Sequence, residues 1–515
     1  MLKQINAAKC VGTEAVGVTV ETDIDHGIGV HLVGLADIAV KESLLRTFTA
    51  MQALGFRVPG KKIVINLAPA DMHKSGSGYD LPIAIGIMAA SGQYVMDDAG
   101  KYLIMGELGL DGSVRGIEGA LPFVEYAVRA GLKGVILPAE SALEAVDIDG
   151  PEIYGVRDLK DVVRILEGRE DCSGLLARNS QEAQSQAAEQ SRTEDCIDFS
   201  DIIGQEGAKR AVEIAAAGGH NILMIGAPGS GKSSLAKAMA GILPPMSREE
   251  SLETSRIYSV AGLRRGQRGL IRQRPFRAPH YSASMAAIIG GGAGENIVPG
   301  EVTLASNGVL FLDELAQMPR SVLEALRGPI EDRKVTISRL KTKVEFPSSF
   351  ALVAASNPCP CGYYGEGDRC VCTPSRRIAY LSKLSGPIMD RIDLQVWMHT
   401  VPPEVAARGG RRESSAEVAR RVLAAREIQR RRFRDEGIGT NAEMSNRQVR
   451  KYCPLSAECT AALEKIMSGS GMSLRAWFRI IKLARTIADL EGGESISPDH
   501  IREAAAFRLL DRDKI

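Results

Sequence analysis

The sequence lacks the features that direct a chain into or across a membrane. Its first residues, MLKQINAAKCVGTEAVGV, contain no basic segment followed by an apolar one, so we expect no signal peptide. The apolar run LPIAIGIMAA is too short to span a bilayer. Both absences predict a cytoplasmic protein with no membrane partner. In that compartment the nine cysteines indicate metal binding, catalysis or burial rather than disulfides.

The sequence also lacks an excess of charge of either sign. The net charge is +1 over 515 residues, so the total is uninformative about nucleic acid, and only the distribution of charge can indicate a partner. No short-period repeat is present, and a single polar stretch is of low complexity. A chain of this length exceeds one hydrophobic core, which predicts two or three domains.

Composition and periodicity divide the chain into four parts. Residues 1–170 alternate strands, such as KKIVINLAP and KGVILPAE, with helical patterns, such as DLPIAIGIMAASG and ALPFVEYAVRAG. Residues 171–198 include NSQEAQSQAAEQSRTED, whose polar composition indicates a linker. Residues 199–400 resume α/β patterning. Residues 401–515 favour helices, most clearly in SAEVARRVLAAREIQRRRF and RAWFRIIKLARTIADL.

A nucleotide-binding motif lies near the start of the third part. The segment NILMIGAPGSGKSSLAKAMAG predicts a strand, a glycine loop and a helix, and residues 226–233 fit G-x-x-x-x-G-K-[ST] in full. In such a loop backbone N–H groups surround phosphate oxygens, the lysine reaches the β- and γ-phosphates, and the serine hydroxyl binds Mg²⁺. A chance glycine-rich turn is the alternative. The predicted contacts to ATP and Mg²⁺ are Gly226, Gly229, Gly231, Lys232, Ser233 and Ser234.

Two further apolar strands end in polar residues. NGVLFLDEL ends in Asp313 and Glu314, about eighty residues after the loop, and we expect it to lie beside the loop strand in a parallel sheet. Asp313 would then hold the Mg²⁺ shell, and Glu314 would deprotonate the attacking water. FALVAAS ends at Asn357. The Asn357 amide would position that water, although asparagine before Pro358 also suits a turn.

Four cysteines follow this strand in the pattern C-x-C-x₈-C-x-C. Four thiolates can close a tetrahedral S₄ site, which Zn²⁺ prefers and in which it has a structural role. An iron–sulfur cluster and four free thiols are the alternatives. We expect residues 358–373 to form a zinc loop held at the end of the Asn357 strand. The candidate ligands are Cys359, Cys361, Cys370 and Cys372.

The motifs together resemble a known family. GQEGAKRAVEIAAAGGHNILMIGAPGSGKSSLA, RPFRAPHYSAS, GVLFLDEL, SNPCPCGYYG and SGPIMDRIDL are similar to the YifB/ComM family, the magnesium-chelatase-like AAA+ ATPases. The resemblance implies an α/β, parallel-sheet P-loop AAA+ core with a helical lid, assembled as a ring and expected to be a hexamer. It implies that Arg391 in SGPIMDRIDL reaches the γ-phosphate of a neighbouring subunit. It also implies that Arg475 in SLRAWFRIIKLARTIADL contacts the nucleotide of its own subunit.

The amino-terminal part resembles the proteolytic domain of Lon, an α+β fold of the S5 type. KIVINLAPADMHKSGSGYDLPIAIGIMAASG and GELGLDGSVRGIEGALPFVEYAVRAGLKGVILPAES carry this resemblance. Alignment places Asp80 where the nucleophilic serine should stand and Leu121 at the general-base lysine position. Such a pair cannot form the activated alkoxide of acyl transfer, so the fold is expected to be kept and proteolysis lost. A catalytic dyad of Lys74 with Ser75 or Ser77 is the alternative.

Clusters of basic residues indicate a possible nucleic-acid partner. Eight arginines lie between Arg248 and Arg277, and a second set occupies RGGRRESSAEVARRVLAAREIQRRRFRDEG. Such sets are typical of phosphate-binding surfaces and also of solvated helix faces. KVTISR, LKT and KVEFP predict a hairpin over residues 333–347. The family resemblance implies that this hairpin lines the pore of a ring, and an ordinary edge hairpin is the alternative. In a pore, the residues facing phosphates would be Lys334, Arg339, Lys341 and Lys343.

Three functions follow from these observations. The favoured one is an ATP-driven ring motor on single-stranded or branched DNA, which by resemblance is a helicase or branch-migration factor in recombination or natural transformation. The second is a chelatase-type AAA+ motor that remodels a partner protein without DNA. The third is an ATP-dependent protease, which Asp80 and Leu121 oppose.

Overall fold

Nine strands and five α-helices build the amino-terminal body within the residues that the structure describes. The computed structural model of the protein describes residues 2–179, 197–292, 297–338, 343–384, 386–402, 404, 412–470 and 472–508. The strands of the body are β1 (Lys3–Val11), β2 (Glu14–Asp25), β3 (Gly29–Val33), β4 (Lys62–Ala68), β5 (Tyr102–Ile104), β6 (Glu107–Leu108), β7 (Val114–Arg115), β8 (Gly134–Pro138) and β9 (Glu152–Val156). The helices are α1 (Ile38–Ala53), α2 (Asp80–Ser91), α3 (Ala120–Arg129), α4 (Ala139–Ala142) and α5 (Leu159–Glu167).

One mixed sheet of seven strands organises this body, in the order β3-β4-β2-β1-β5-β8-β9. Strand β2 pairs antiparallel with β1 and with β4, and the other four pairings are parallel. In β4, Ile63, Ile65 and Leu67 are buried and alternate with less buried residues, the period-two pattern of a strand with one face on the core. The strands and helices predicted for residues 1–170 are confirmed at β4, β8, α2 and α3.

The body continues into the segment predicted as a linker. Residues 173–175 and 177–179 form 3-10 turns, and Ala177 is buried against the body. The guanidinium of Arg178 donates to the backbone carbonyls of Val146 and Ile148. Residues 180–196, which hold the rest of the predicted linker, lie outside the described residues.

The core that holds the predicted nucleotide-binding motif follows and contains nine strands and nine α-helices among the described residues. Its strands are β10 (Ile222–Gly226), β11 (Phe276–Arg277), β12 (Gly290–Gly291), β13 (Val298–Pro299), β14 (Val309–Leu312), β15 (Lys334–Ser338), β16 (Lys343–Pro347), β17 (Ala351–Ser356) and β18 (Leu394–Met398). Its helices are α6 (Glu206–Gly218), α7 (Lys232–Ile242), α8 (Arg248–Val260), α9 (Met285–Ile289), α10 (Glu301–Leu304), α11 (Arg320–Ala325), α12 (Arg327–Asp332), α13 (Pro374–Leu381) and α14 (Gly386–Met389).

A five-stranded, wholly parallel sheet forms the centre of the core, in the order β11-β14-β17-β10-β18. Every residue of β10 is buried, as expected for a strand covered by helices on both faces. The prediction that the strand ending in Asp313 lies beside β10 is wrong, because β17 separates β14 from β10. All three strands are continuous apolar runs, so their sequences contain no signal of their lateral order.

An antiparallel hairpin interrupts the core between β14 and β17. Its strands β15 and β16 pair from Lys334 to Ser338. The predicted alternation is confirmed, because its four apolar side chains are buried: Val335, Ile337, Val344 and Phe346. The tip, residues 339–342, lies outside the described residues, and with it Arg339 and Lys341.

The carboxyl-terminal part is helical, as predicted. Its helices are α15 (Ser415–Arg432), α16 (Asn446–Tyr452), α17 (Ala457–Ser470), α18 (Leu474–Leu490) and α19 (Pro498–Ala506). Helix α15 packs on α6 of the core, where Gln429 donates to the carbonyl of Ala217. Helix α18 also reaches the core, because Thr486 hydrogen-bonds the buried His220 ring. No helix among the described residues, including α18, has the combined length and apolar character needed to cross a membrane.

Candidate nucleotide site and its surroundings

The glycine loop after β10 has the backbone that its sequence predicts. Gly229 and Gly231 have φ angles of +78° and +93°, which glycine adopts without steric cost. Helix α7 begins at Lys232, so the unpaired N–H groups of its first turn lie at the loop. A Cβ atom on Gly226 would lie 2.3 Å from the carbonyl oxygen of Met398 on β18. The loop is therefore shaped to receive an anion, and two of its glycines are required by their φ angles.

The Lys232 ammonium lies inside this loop. Nζ donates to the carbonyl oxygens of Gly226 and Ala227 at 2.7 Å and 2.9 Å, and it lies 3.5 Å from Oδ1 of Asn357. Burial lowers the pKa of Lys232, because the charged form is partly removed from water. A phosphate would replace these neutral acceptors with a full opposite charge, so the site favours an anionic ligand.

Carboxylates and hydroxyls gather beside the loop. The Ser233 hydroxyl donates to Oδ2 of Asp313 at 3.3 Å, and Ser234 lies in the same first turn of α7. The backbone N–H of Glu314 donates to Oδ1 of Asp313 at 2.9 Å. Glu314 itself has a φ of +51°, a left-handed conformation that costs a non-glycine residue about 1–3 kcal/mol and is common at active sites.

The predicted nucleotide residues therefore meet at one edge of the sheet. The glycine loop follows β10, Asp313 and Glu314 follow β14, and Asn357 follows β17. All three strands are parallel, so these residues share the carboxyl edge, where open α/β sheets bind ligands. Two carboxylates, an amide, a hydroxyl and an ammonium at this edge can hold a Mg²⁺-bound triphosphate and orient a water against it.

The four predicted metal ligands form one cluster. The Sγ atoms of Cys359 and Cys361 are 3.3 Å apart, and each lies 3.8 Å from Sγ of Cys370. All four Sγ atoms, including that of Cys372, lie within 4.8 Å of one another. Zn–S bonds of about 2.3 Å in a tetrahedron place the sulfurs about 3.8 Å apart. The backbone N–H of Tyr363 contributes most to lowering the pKa of Cys361 to about 6, which favours a thiolate. The cluster can therefore hold a metal ion.

The cysteine cluster is docked on the glycine loop as well as on β17. Gly362 has a φ of +85°, and a Cβ atom there would lie 2.8 Å from Cδ of Pro228 in the loop. Tyr364 packs edge-on against Trp397 of β18, with ring centroids 6.3 Å apart. The Arg377 guanidinium lies 4.0 Å from the centroid of the Tyr364 ring. Sequence patterns did not reveal the contact with the loop, because it joins glycine and proline residues that carry no chemical signature.

The structure places Arg391 and Arg475 at the opposite edge of the sheet. Both residues line one cavity of about 680 Å³. The Arg391 guanidinium pairs with Glu331 at 2.6 Å and that of Arg475 with Asp390 at 3.3 Å. The backbone carbonyl of Arg391 accepts a hydrogen bond from Asn221, the residue before β10. The length of β10, five residues or roughly 16 Å, therefore separates this edge from the glycine loop.

The position of Arg475 disagrees with the role that the family resemblance implied for it. The resemblance implied that Arg475 contacts the nucleotide of its own subunit, but here it lies with Arg391 at the amino edge of its own sheet. The reason is that the carboxyl-terminal helical part, α15 to α19, which we call the lid, packs on α6 and on the segment before β18. There the Arg479 guanidinium pairs with Asp393. Contact with its own glycine loop does not fit this structure.

The arginine-rich segment between Arg248 and Arg277 faces carboxylates, mostly of the amino-terminal body. Four ion pairs of 3.0–3.7 Å cross between the two parts: Arg248–Asp149, Arg256–Glu125, Arg265–Glu118 and Arg272–Asp147. Two more lie within the core: Arg274–Glu250 and Arg277–Glu301. The hypothesis that this segment is a DNA surface loses its support, because its charge is largely matched inside the chain.

Residues at the positions of a protease dyad have structural partners. The Asp80 carboxylate is buried, pairs with Arg46 at 2.8 Å and accepts from the backbone N–H of Leu108. Leu121 is buried in the core of the body. The residues of the alternative dyad also have hydrogen-bond partners. The Lys74 ammonium donates to the carbonyl of Pro69, and the Ser77 hydroxyl donates to Glu107.

Comparison with known proteins identifies the family. Residues 198–406 match "Magnesium chelatase, subunit ChlI", residues 20–141 match "Subunit ChlI of Mg-chelatase", and residues 412–508 match "Magnesium chelatase, subunit ChlI C-terminal". The YifB protein of Salmonella typhimurium is 42% identical over 510 residues, which cover 99% of this chain and 97% of the relative. The chain belongs to the YifB/ComM family of magnesium-chelatase-like AAA+ proteins. Membership in this family indicates ATPase activity.

Two further relatives have descriptive names. The competence protein ComM of Haemophilus influenzae is 41% identical over 504 residues, covering 98% of this chain and 96% of the relative. The maternal DNA replication licensing factor mcm6 of Xenopus tropicalis is 25% identical over 240 residues, covering 42% of this chain and 26% of the relative.

Proposed function

We propose that this protein is an ATP-driven, ring-forming motor of the cytoplasm that acts on single-stranded or branched DNA, as a helicase or branch-migration factor in recombination or natural transformation. The observation that carries the proposal is the hairpin between β14 and β17. Strand β14 leads to Glu314 and β17 to Asn357, so the hairpin belongs to the chain segment that joins two residues of the nucleotide site. The names of the ComM and mcm6 relatives support a role in competence and on DNA.

The residues of the nucleotide site would divide the chemistry between them. Lys232 exchanges its carbonyl partners for β- and γ-phosphate oxygens, and Ser233 and Asp313 hold Mg²⁺, which offsets phosphate charge when bound. Glu314 takes the proton of the attacking water, and the Asn357 amide orients that water. Each role uses a group that already lies at the carboxyl edge of the sheet.

The positions of the two arginines at the amino edge support the proposed assembly as a ring. Neither Arg391 nor Arg475 can reach the glycine loop of its own chain across the length of β10, so both would act on the nucleotide of a neighbouring subunit. Each subunit would present its amino edge to the carboxyl edge of the next one. A head-to-tail contact closes into a ring when the rotation between neighbours returns to the first subunit, and we propose that it does so here with six subunits.

A chelatase-type motor that remodels a partner protein without DNA is the second candidate. The three family matches to the magnesium chelatase subunit favour it. The loss of the arginine-rich segment as a DNA surface favours it as well. It differs from the DNA motor in one measurable respect, because DNA would neither bind to it nor stimulate its ATPase.

Replacing Lys341 and Lys343 by alanine tests the hairpin directly. Lys343 is exposed at the start of β16, and Lys341 precedes it by two residues in the sequence, outside the described residues. If these lysines contact phosphates, the double variant should lose DNA affinity and DNA-stimulated ATPase. The dependence of log binding constant on log salt should flatten by about 0.7 per lost contact for single strands and about 0.9 for duplex. The measurements are DNA binding by anisotropy over a salt series and ATPase rates with and without DNA.

Lys61 and Lys62 supply the control for this experiment, because they are adjacent exposed lysines on the amino-terminal body. Replacing both by alanine should change neither DNA affinity nor the salt slope. An unchanged affinity and slope in the hairpin variant would contradict the proposed contact. Unaltered protein that neither binds DNA nor is stimulated by it would favour the chelatase-type motor.

We also propose that the cysteine cluster holds one structural zinc ion per chain. The sulfur spacing fits tetrahedral Zn²⁺, and four thiolates leave no open position for catalysis. Elemental analysis of purified protein should give one zinc per chain, and Cys361→Ser or Cys370→Ser should reduce the zinc content to background. The variants should also bind ATP more weakly, because the cluster is docked on Pro228 of the glycine loop.

Cys172→Ser serves as the control for metal content, since Cys172 is partly exposed and lies outside the cluster. It should retain the full zinc content. Iron with visible absorbance in the unaltered protein, or the absence of any metal, would contradict the zinc assignment.

A further inference from the structure

The pairing of Arg391 with Glu331 connects two functional parts of the chain. The distance from Nη2 of Arg391 to Oε2 of Glu331 is 2.6 Å, as in a charge-assisted hydrogen bond. The Arg391 side chain is only 8% exposed, whereas that of Glu331 is 53% exposed. A guanidinium has five N–H donors, so Arg391 can bond a carboxylate and a phosphate at the same time. Glu331 is therefore placed to hold Arg391 while it acts.

Glu331 also lies at the root of the hairpin. It belongs to α12, and β15 begins three residues later, at Lys334. The intervening Arg333 has a φ of +53°, so the turn between helix and strand is tight. The carbonyl of Arg333 accepts the backbone N–H of Ser348, which follows β16. Both strands of the hairpin thus meet within a few ångströms of the Glu331 helix.

The root is connected to three other parts of the chain, namely the lid, α12 and β17. The Arg333 guanidinium pairs with Glu443 of the lid at 2.9 Å. The Ser348 hydroxyl donates to the carbonyl of Pro329 on α12. Beyond Ser348 the chain enters β17, whose far end carries Asn357. A displacement of the hairpin would therefore also displace α12, the lid and β17, the strand that leads to the nucleotide site of the same subunit.

We infer that Glu331 is a positioning residue that couples the hairpin to hydrolysis in the neighbouring subunit. The inference rests on the proposed function, since it takes the hairpin as the DNA contact and Arg391 as the arginine that acts on the neighbour's γ-phosphate. DNA that shifts the hairpin moves α12, and the ion pair carries this movement to the guanidinium. Coupling between binding free energies is reciprocal, so DNA that changes the affinity for the nucleotide beside Arg391 requires that nucleotide to change the affinity of the hairpin for DNA by the same factor.

Glu331→Gln tests this coupling in the full-length protein. Glutamine keeps the size of the side chain and removes the charge that holds Arg391. The ratio of ATPase rates with and without single-stranded DNA should fall to about 1, if the pair carries the coupling. DNA affinity, measured with and without a non-hydrolysable ATP analogue, should no longer depend on the analogue. Glu331→Asp keeps the charge on a shorter side chain and should give intermediate values of both quantities.

Glu324→Gln is the matched control, because Glu324 lies on the preceding helix α11 and pairs with the exposed Arg320. It should retain full stimulation and the full effect of the analogue. Undiminished stimulation in Glu331→Gln would overturn the coupling while leaving the DNA function intact. Loss of ATP-analogue binding in both Glu331 variants would overturn it too, since Glu331 would then be a structural residue. If DNA does not stimulate the unaltered protein, the proposed function fails and the coupling fails with it.

Discussion

Replacing Glu314 by glutamine is expected to leave ATP binding intact and to slow hydrolysis by about 10²- to 10⁴-fold, the usual contribution of a general base. Glutamine has nearly the same volume as glutamate but cannot accept the proton of water. The groups that bind the triphosphate and Mg²⁺, namely Lys232, Ser233 and Asp313, are unchanged. Single-turnover hydrolysis and retention of labelled ATP on the protein measure the two parts of this prediction.

Lys232→Ala provides the contrasting case. Removing the ammonium that lies within the glycine loop should abolish nucleotide binding or turnover, whereas the Glu314 variant should trap ATP. Glu324→Gln, on the exposed face of α11, should hydrolyse ATP at the rate of the unaltered protein. Hydrolysis near that rate in Glu314→Gln would remove Glu314 as the base.

Replacing Arg391 by alanine is expected to reduce turnover roughly 10³-fold or more, the effect typical of an arginine that contacts the transferred phosphoryl group. ATP affinity should remain, because Arg391 lies at the edge of the sheet opposite its own glycine loop. Arg320→Ala removes an exposed arginine, 82% exposed and paired with Glu324, and should leave turnover unchanged. Equilibrium binding of an ATP analogue and steady-state hydrolysis distinguish the two effects.

A mixing experiment decides whether Arg391 acts between subunits. Lys232→Ala subunits retain Arg391, and Arg391→Ala subunits retain the glycine loop, so an interface between them in the correct order is complete. In rings assembled from equal amounts, about a quarter of the interfaces would be of this kind. Partial recovery of hydrolysis in the mixture is expected. Mixtures as inactive as either variant alone would contradict action between subunits.

The nucleotide site could be predicted from the sequence because its parts are local motifs. The glycine loop needs glycine at positive φ and a lysine at the start of a helix, and both requirements are visible within eight residues, Gly226 to Ser233. The hairpin was predictable for a similar reason, because the period-two alternation of its apolar residues specifies a strand with one buried face. The cysteine cluster has a characteristic spacing of its own.

Features that depend on contacts distant in sequence could not be predicted. The lateral position of β17 is fixed by the path of the chain and not by the composition of the strand. The sequence does not distinguish an arginine that binds phosphate from one that pairs with a carboxylate of another domain. Arg248 pairs with Asp149, and Arg272 pairs with Asp147. The role of Glu331 could not be predicted for a related reason, since a glutamate before a hairpin belongs to no motif, and only its distance to Arg391 gives it a role.

The ion pairs between the arginine-rich segment and the amino-terminal body have a consequence for work with shortened forms of the protein. Deleting the body would remove Asp147, Asp149, Glu118 and Glu125 and leave four arginines without their counterions. Such a basic strip attracts any polyanion through counterion release, independently of sequence. A shortened protein would therefore adsorb DNA at low salt on a surface whose charge the whole protein neutralises with its own carboxylates, and its affinity would overstate that of the motor.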